Sequence, residues 1–349
     1  MERISVDVCV IGAGAGGLSV AAGAVQMGAS VVLLEGHAMG GDCLNFGCIP
    51  SKALLHAGRA GMGWRAAHDH VRATIAAIEP HDSQTRFEAL GVRVIRAFGR
   101  FISPREVQAG DHLIRARRFV VATGSRPAVP PIPGLDTVPY ETNETIFDLP
   151  DAPAHLLIIG AGPIGLEMAE AHRRLGCAVT VIEGARALGR EDPELTAQVL
   201  DSLRAQGIRI ENHTPARAVR GHAGAVEVEA ADGRVFTGSH LLLAAGRQAN
   251  LDGGHHLPRA TYTSPELAQV GLTEAEARTA HGARLTVVRF DFAGNDRAIA
   301  TAQARGLIKV MVVKGRPVGA SVVGPGAGEL ISLWALVIAR RLKMSDVAA

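Results

Sequence analysis

The sequence predicts an α/β fold with two nucleotide-binding units and a further mixed domain behind them. Two observations predict it. A series of strand, glycine turn, helix, strand and acid occurs twice. The 349 residues are also 47% hydrophobic against 20% charged, enough apolar material for two or three cores.

The first unit opens with Val6-Asp-Val-Cys9-Val-Ile11 and turns through Gly12-Ala-Gly14-Ala-Gly-Gly17. A small-residue helix runs to Met27, and the unit closes with Ala29-Ser-Val-Val-Leu-Leu and Glu35. The second unit runs His155-Leu-Leu-Ile-Ile159, then Gly160-Ala-Gly162-Pro-Ile-Gly165, a helix to Leu175, and Cys177-Ala-Val-Thr-Val-Ile-Glu183. In both, the acid follows the third glycine by eighteen positions. The first glycine makes the tight turn out of the strand. The second lets the backbone approach a pyrophosphate, and the third lets the helix pack closely on the strands. The helix N-terminus offers free N–H groups to phosphate, and the acid accepts from a ribose diol. A lone glycine turn is weak, but each here has its strand, helix and acid in place. Two units imply two dinucleotides, or one dinucleotide and a flavin. Glu183 favours a free 2′-hydroxyl, so NADH over NADPH, while Arg186 nearby tempers that preference.

No charged residue lies between Asp7 and Glu35. The glycines in that stretch argue against a spanning helix, and Val31-Val-Leu-Leu34 reads as a buried strand rather than the end of a signal peptide. The cytoplasm is the expected location. The formal net charge is +2 and aromatic residues are 4%, which gives no reason to expect nucleic acid or an anionic membrane as partner.

The four cysteines are Cys9, Cys43, Cys48 and Cys177, too few for a disulfide framework in a chain of this length. Cys9 and Cys177 lie in strand-like apolar contexts and read as small buried side chains. Cys43 and Cys48 lie in Gly40-Gly-Asp-Cys43-Leu-Asn-Phe-Gly-Cys48-Ile-Pro-Ser-Lys52. Placed on one helical turn they can close a small ring that is easily reduced. A metal half-site and two idle thiols are the alternatives. Zinc needs four ligands, and no second pair sits nearby at ligand spacing, so no metal is expected. His68-Asp-His70 reads as a solvated helix face, and His255-His256 as a loop.

The cysteine segment resembles the active-site motif of the class I pyridine nucleotide-disulfide oxidoreductases, the family of dihydrolipoamide dehydrogenase, glutathione reductase and mercuric reductase. Asp42 stands where that motif usually has threonine. Further along, Phe119-Val-Val-Ala-Thr123-Gly124 resembles the strand and turn that return to the flavin. Gly160 to Glu167 resembles the NADH turn. Leu241-Leu-Leu-Ala-Ala-Gly246-Arg247-Gln-Ala-Asn250 resembles the closing strand of the nicotinamide domain, and the segment from Tyr262 the start of a dimerisation domain.

The resemblance implies two Rossmann-like domains, for FAD and NAD, plus a C-terminal α+β dimerisation domain. FAD would lie on Gly12, Gly14 and Gly17 with Glu35 at its ribose, and with Thr123 and Gly124 beside it. NAD would lie on Gly160, Gly162 and Gly165 with Glu183 and Gly246. Cys48 would face the flavin and Cys43 would exchange with a small or protein-bound disulfide or dithiol. Lys52, one of four lysines, would sit at the flavin edge, paired with Glu167. A homodimer is implied, and NADP is the less favoured nucleotide.

Two segments the family needs are missing. Only eleven residues separate Asn250 from Tyr262, where the family returns to the FAD domain with an Ala-x-Gly-Asp motif. The chain also ends at Ala349 without the family's His-Pro-x-x-x-Glu segment. Intact motifs on both sides favour retained segments of a longer protein; the alternative is a truly shortened chain, with weakened FAD binding and no acid/base. The expected layout is an FAD domain over 1–143, an NAD domain over 144–255 and an α+β domain over 258–349. Within it, a helical excursion is expected over Trp64 to Ile78 and a small β segment over Val92 to Leu113. A proline-rich linker is expected over Pro127 to Pro139, and a last helix from Ile331. Dihydrolipoamide dehydrogenase-like chemistry leads. Mercuric reductase-like chemistry is the neighbour, although the extra C-terminal cysteine pair it usually needs is not visible. A catalytically silent nucleotide-binding or redox-sensing protein is the alternative from another class.

Overall fold

The structure, a computed structural model, describes residues 1–250, 259–294, 298 and 303–348. His255-His256 and the expected boundary at 255–258 lie outside them. The chain divides into two bodies: Met1–Ala128 with Thr142–Asp151 and Arg247–Asp252, and Val129–Glu141 with Ala152–Gly246 and Gly253–Ala349.

The first body is organised by β1 (Glu2–Ile11), which pairs in parallel with β2 (Val31–Leu34) on one side. β2 in turn pairs with β3 (Arg93–Ile95). On its other side β1 pairs in parallel with β6 (His112–Val121), which continues antiparallel into β5 (Glu106–Ala109) and β4 (Gly99–Ser103). Helix α1 (Ala15–Gln26) lies between β1 and β2. Alternate residues of β2 feed two cores, as a sheet covered on both faces requires. Val31 and Leu33 join Leu18, Ala21 and Phe87; Val32 and Leu34 join Cys9, Ile11 and Ile114. β5 pairs with β6 only over His112–Arg115. Beyond Arg115, β6 has β1 on one side and, among the described residues, no strand on the other.

The expected small β segment over Val92 to Leu113 holds β3, β4, β5 and the first residues of β6. The helical excursion is longer than expected: α4 (Trp64–Asp82) continues through Pro80 to a stop at Ser83. Trp64, Ala67, His68 and Val71 share its inner side at helical spacing. His68 is therefore buried, 5% exposed, with its ring 4.4 Å from that of Trp64. The reading of His68-Asp-His70 as a solvated face fails at His68. Burial pushes its pKa below the usual histidine range.

The second body repeats the theme. Strands β8 (His155–Ile159), β9 (Ala178–Ile182), β10 (Arg209–Glu211) and β14 (His240–Leu243) form a parallel sheet in the order β10-β9-β8-β14. Helix α6 (Pro163–Arg174) sits between β8 and β9, with proline at its first position where no N–H is needed. A three-stranded antiparallel sheet, β11 (Ala216–His222), β12 (Ala225–Ala230) and β13 (Val235–Gly238), completes that region.

Further along, a five-stranded antiparallel sheet has the order β16-β17-β20-β19-β18. Its strands are β16 (Arg259–Thr261), β17 (Leu267–Gly271), β18 (Leu285–Asp291), β19 (Leu307–Val313) and β20 (Arg316–Val323). A helix spanning Ala327–Ala339 packs on it through Ala327 and Ile331, so it begins before the expected Ile331. Among the described residues, no helix is long and apolar enough to cross a membrane.

Candidate functional site

Both glycine turns take the shape the motif demands. Gly12 and Gly160 leave their strands at φ +105° and +108°, a region that favours glycine. A Cβ on Gly17 would overlap the Gly12 carbonyl oxygen, and one on Gly165 that of Gly160. At Gly162 a Cβ would meet nothing within 4 Å, and at Gly14 only the Gly41 Cα, at 3.9 Å. The outer glycines therefore serve the fold, while the middle ones leave open space where a ligand's backbone contact is expected. Neither α1 nor α6 has a side-chain cap at its N-terminus, so N–H groups there stay available for phosphate.

The two acids close back on their turns in the same way. Glu35 Oε2 accepts from the Ala13 amide at 2.7 Å and Oε1 from His37 at 2.6 Å. Glu183 Oε2 accepts from Ala161 at 2.7 Å and Oε1 from Ala185 at 2.9 Å. Arg186 turns away into its own loop. It donates to Thr196 Oγ1 at 3.1 Å and to the carbonyls of Gly189 and Glu191, both at 3.0 Å.

Cys43 and Cys48 are joined as a disulfide, with Cα atoms 4.9 Å apart. They do not share one helical turn. Cys43 lies inside the short α2 (Gly41–Asn45), and Cys48 is the first residue of α3 (Cys48–Arg59). Phe46 and Gly47 break the helix between them. A side chain at Gly47 would crowd the Asp42 carbonyl at 2.9 Å, so the tight return to Cys48 needs glycine there. Asn45 clips the loop by donating to the carbonyl of Gly41 at 2.8 Å.

The loop rests on the first glycine turn. Gly40 forms a β-bridge with Gly14, and a Cβ on Gly41 would crowd the Gly14 Cα. Lys52 is half-buried one turn beyond Cys48, its Nζ donating to Ser51 Oγ at 3.3 Å. Thr123 and Gly124 follow the end of β6 after Ala122. The Thr123 carbonyl accepts from Asn250 Nδ2 at 2.7 Å, and Gly124 takes φ +68°. Gly246 takes φ +123° just before β15 (Arg247–Ala249), which pairs with β7 (Ser125–Pro127).

In the second body, Glu167 is buried and accepts from the Tyr262 amide at 3.0 Å. Cys9 and Cys177 are buried, and burial pushes their thiols up to about 12 and about 11, which leaves them inert. No group of three or more metal-ligating side chains occurs among the described residues.

Two clusters escaped sequence reasoning. Around Asp42 gather Arg247, Asn143 and Ser125, from segments about a hundred residues apart, which no local spacing could pair. Lys309 is 3% exposed in β19 and contacts Asp192 at 2.8 Å, Glu194 at 3.1 Å and Glu274 at 2.6 Å. Its only signal was a lone lysine inside the apolar run Leu307–Val313.

Comparison with known proteins agrees with this geometry. The model of the pyridine nucleotide-disulphide oxidoreductase family matches residues 6–261, and that of the family's dimerisation domain matches residues 257–349. The chain belongs to the pyridine nucleotide-disulphide oxidoreductase family. A mercuric reductase from Streptomyces lividans is 30% identical, covering 98% of this chain and 92% of its own length. A dihydrolipoyl dehydrogenase from Thermus scotoductus is 29% identical with the same coverage. The first of these alignments runs over 438 positions, far more than the 349 residues here, so the relative carries internal segments this chain lacks.

Among solved structures, the HOCl-induced flavoprotein disulfide reductase RclA from Escherichia coli superposes with TM-score 0.80 at 25% identity, covering 97% of this chain and 94% of its own. LpdA from Mycobacterium tuberculosis shares the fold at TM-score 0.84 and 21% identity, covering all of this chain and 95% of its own. The family works with FAD and NAD(P)H. The two glycine turns fit the phosphate-bearing halves of such cofactors.

Proposed function

We propose that the chain passes electrons between NADH and a disulfide substrate by way of FAD and the Cys43–Cys48 pair, in the manner of a dihydrolipoyl dehydrogenase. One observation carries this reading: the disulfide loop is packed directly on the first glycine turn through Gly40 and Gly14. Gly12, Gly14, Gly17 and Glu35 would hold the adenosine diphosphate half of FAD, with Thr123 and Gly124 nearby. Gly160, Gly162, Gly165, Glu183 and Gly246 would hold the nicotinamide nucleotide. FAD, when bound, supplies the two-electron carrier between nicotinamide and disulfide.

The cysteines do the rest by thiol exchange. The Cys43 thiolate attacks the substrate disulfide, forming a mixed disulfide and releasing one substrate thiol. The Cys48 thiolate then attacks Cys43, reforming the protein disulfide and releasing the second. Two electrons and two protons leave with the substrate dithiol. Cys48 opens α3, where free N–H groups favour its thiolate. Lys52 and Glu167 are proposed to act as a pair in support, as the resemblance implies.

NADH is preferred over NADPH in this reading. Glu183 sets a carboxylate where a 2′-phosphate would bring like charge, and the Arg186 guanidinium is engaged within its loop. A homodimer is proposed through the C-terminal domain, whose helix Ala327–Ala339 exposes Leu330, Leu333 and Leu336. The proposed domains remain 1–143, 144–255 and 258–349, and the proposed location the cytoplasm. Identity to the Streptomyces lividans mercuric reductase supports a second reading, with mercuric ion as substrate. Comparing NADH oxidation with lipoamide and with mercuric ion separates the two.

The test of the relay is a thiol count after anaerobic NADH, with the alkylated peptides assigned by mass. Two new thiols, at Cys43 and Cys48, are expected in the wild type and none in Cys48→Ser. A wild type that gains no thiols defeats the relay and leaves the silent redox sensor.

A further inference from the structure

Asp42 directly precedes Cys43, and its carboxylate sits in a closed set of partners within the first body. Arg247 Nη2 lies 3.2 Å from Asp42 Oδ2. Asn143 Nδ2 donates to Asp42 Oδ1 at 3.3 Å and to the Phe46 carbonyl at 3.1 Å. Arg247 Nη1 in turn donates to Asn143 Oδ1 at 2.9 Å. Arg247 is anchored from behind, with Nε donating to Ser125 Oγ and Nη2 to the Ser125 carbonyl, both at 2.7 Å. Asn143 is buried, while the Asp42 and Arg247 side chains stay partly exposed. The segment from Asp42 to Phe46, which carries Cys43, is thus held at both ends.

The charges in this set matter more than the bonds. A carboxylate beside Cys43 disfavours the thiolate there, and only the thiolate is nucleophilic. Asn143 is neutral and cannot offset that charge. Arg247 can, and it is placed by Ser125 to do so.

We propose that Arg247 is a positioning residue that neutralises Asp42, so that Cys43 keeps its nucleophilic thiolate, while Asn143 holds the loop. This rests on the reading of Cys43 as the exchanging thiol. An uncompensated Asp42, partly exposed to solvent, lowers the Cys43 thiolate fraction by about three- to tenfold near neutral pH.

The test needs neither turnover nor cofactor reduction. The protein is reduced with dithiothreitol, desalted and treated with iodoacetamide at fixed neutral pH, and alkylation at Cys43 and Cys48 is followed by peptide mass. Arg247→Met is expected to slow Cys43 about three- to tenfold. Adding Asp42→Asn to that variant is expected to restore the rate to within about twofold. A structural defect would not be cured by that second change. Arg247→Lys keeps the charge with fewer bonds and is expected to stay near the wild-type rate. Asp42→Asn alone is expected to speed Cys43, which keeps the idea testable should Arg247→Met fold poorly. A wild-type rate in Arg247→Met, a slow double variant, or no acceleration in Asp42→Asn each overturns the proposal. The underlying reading fails separately, and in the wild type itself, if Cys48 rather than Cys43 is alkylated first.

Discussion

In the first turn Glu35 accepts from Ala13 and His37; in the second Glu183 accepts from Ala161 and Ala185, with the same oxygens in the same order. Beyond the acids the two units diverge. After Glu35 the chain folds back on its own turn through Gly40 and Gly14 and then presents Cys43. After Glu183 the chain also returns to its turn, the Leu188 amide donating to the Ala161 carbonyl at 3.0 Å, but it carries no cysteine there and is fastened onward instead. Arg186 is tied to Thr196, Glu191 to Arg259, and Asp192 to Lys309. One backbone solution for a dinucleotide thus serves two ends. The first couples the nucleotide turn to reactive sulfur, and the second locks its loop into the scaffold behind it.

The strongest way to break the comparison is at the glycines, where the outer and middle positions should fail differently. Gly17→Ala puts a methyl onto the Gly12 carbonyl and is expected to cost about 3 kcal/mol or more and to abolish flavin content. Gly14→Ala meets only the Gly41 Cα at 3.9 Å, so its melting temperature should stay within a few degrees while flavin content falls at least about tenfold. The matching pair in the second turn, Gly165→Ala and Gly162→Ala, should repeat that split for NADH binding with flavin retained. Equal destabilisation by both members of a pair would show that the middle glycine serves the fold after all.

The fastening of the second loop is tested at Lys309. Removing its charge by Lys309→Met leaves Asp192, 2% exposed and also the N-cap of α7 (Pro193–Ala205), without its direct ion-pair partner. A loss of about 3 kcal/mol in urea unfolding is expected. Burial works against the Lys309 charge, yet hydrogen bonds to Asp192, Glu274 and Glu194 outweigh it and hold its pKa above the usual range. That contribution is therefore present below about pH 10.5 and is lost only as pH climbs through the raised value. A neutral effect of Lys309→Met would mean that Asp192 finds water instead.

A smaller effect separates the two acids. Glu183→Gln keeps the shape but removes the charge, and should weaken NADH by about tenfold. NADPH should gain less than that, because Arg186 stays bound to Thr196, Gly189 and Glu191. Isothermal titration with both nucleotides decides it; a large NADPH gain would show that Arg186 leaves its loop readily.

Both nucleotide units were legible because their signals are local: a strand, three glycines and an acid within about thirty residues. The cysteine loop was legible as a motif but not in its shape. A spacing of five suggested one helical turn, whereas Phe46 and Gly47 split the pair between two helices. His68 misled because helix α4 was read by polarity, while its inner side is set by the spacing of Trp64, Ala67 and Val71. Arg247 was visible only as part of a closing strand. Its partners Asp42 and Asn143 are brought to it by β15 pairing with β7, a contact between segments more than a hundred residues apart.

The smallest expected effect lies at the rim of the Lys309 cluster. Glu194 is held down to about 2, first by its hydrogen bonds from Arg289 and then by those from Lys309. A carboxylate whose folded pKa is depressed lends stability above its ordinary value near 4.5, and loses it as pH falls toward about 2. Glu194 is 47% exposed in its side chain, so solvent screens most of that gain, and Arg289→Met should cost well under about 1 kcal/mol at pH 6. The difference between Arg289→Met and wild type should shrink as pH drops from 4.5 and vanish near 2, because protonated Glu194 no longer distinguishes the two side chains. Urea unfolding at pH 6, 4 and 3 would show the trend. A difference that stays constant over that range would assign the Arg289 effect to packing along β18 rather than to charge.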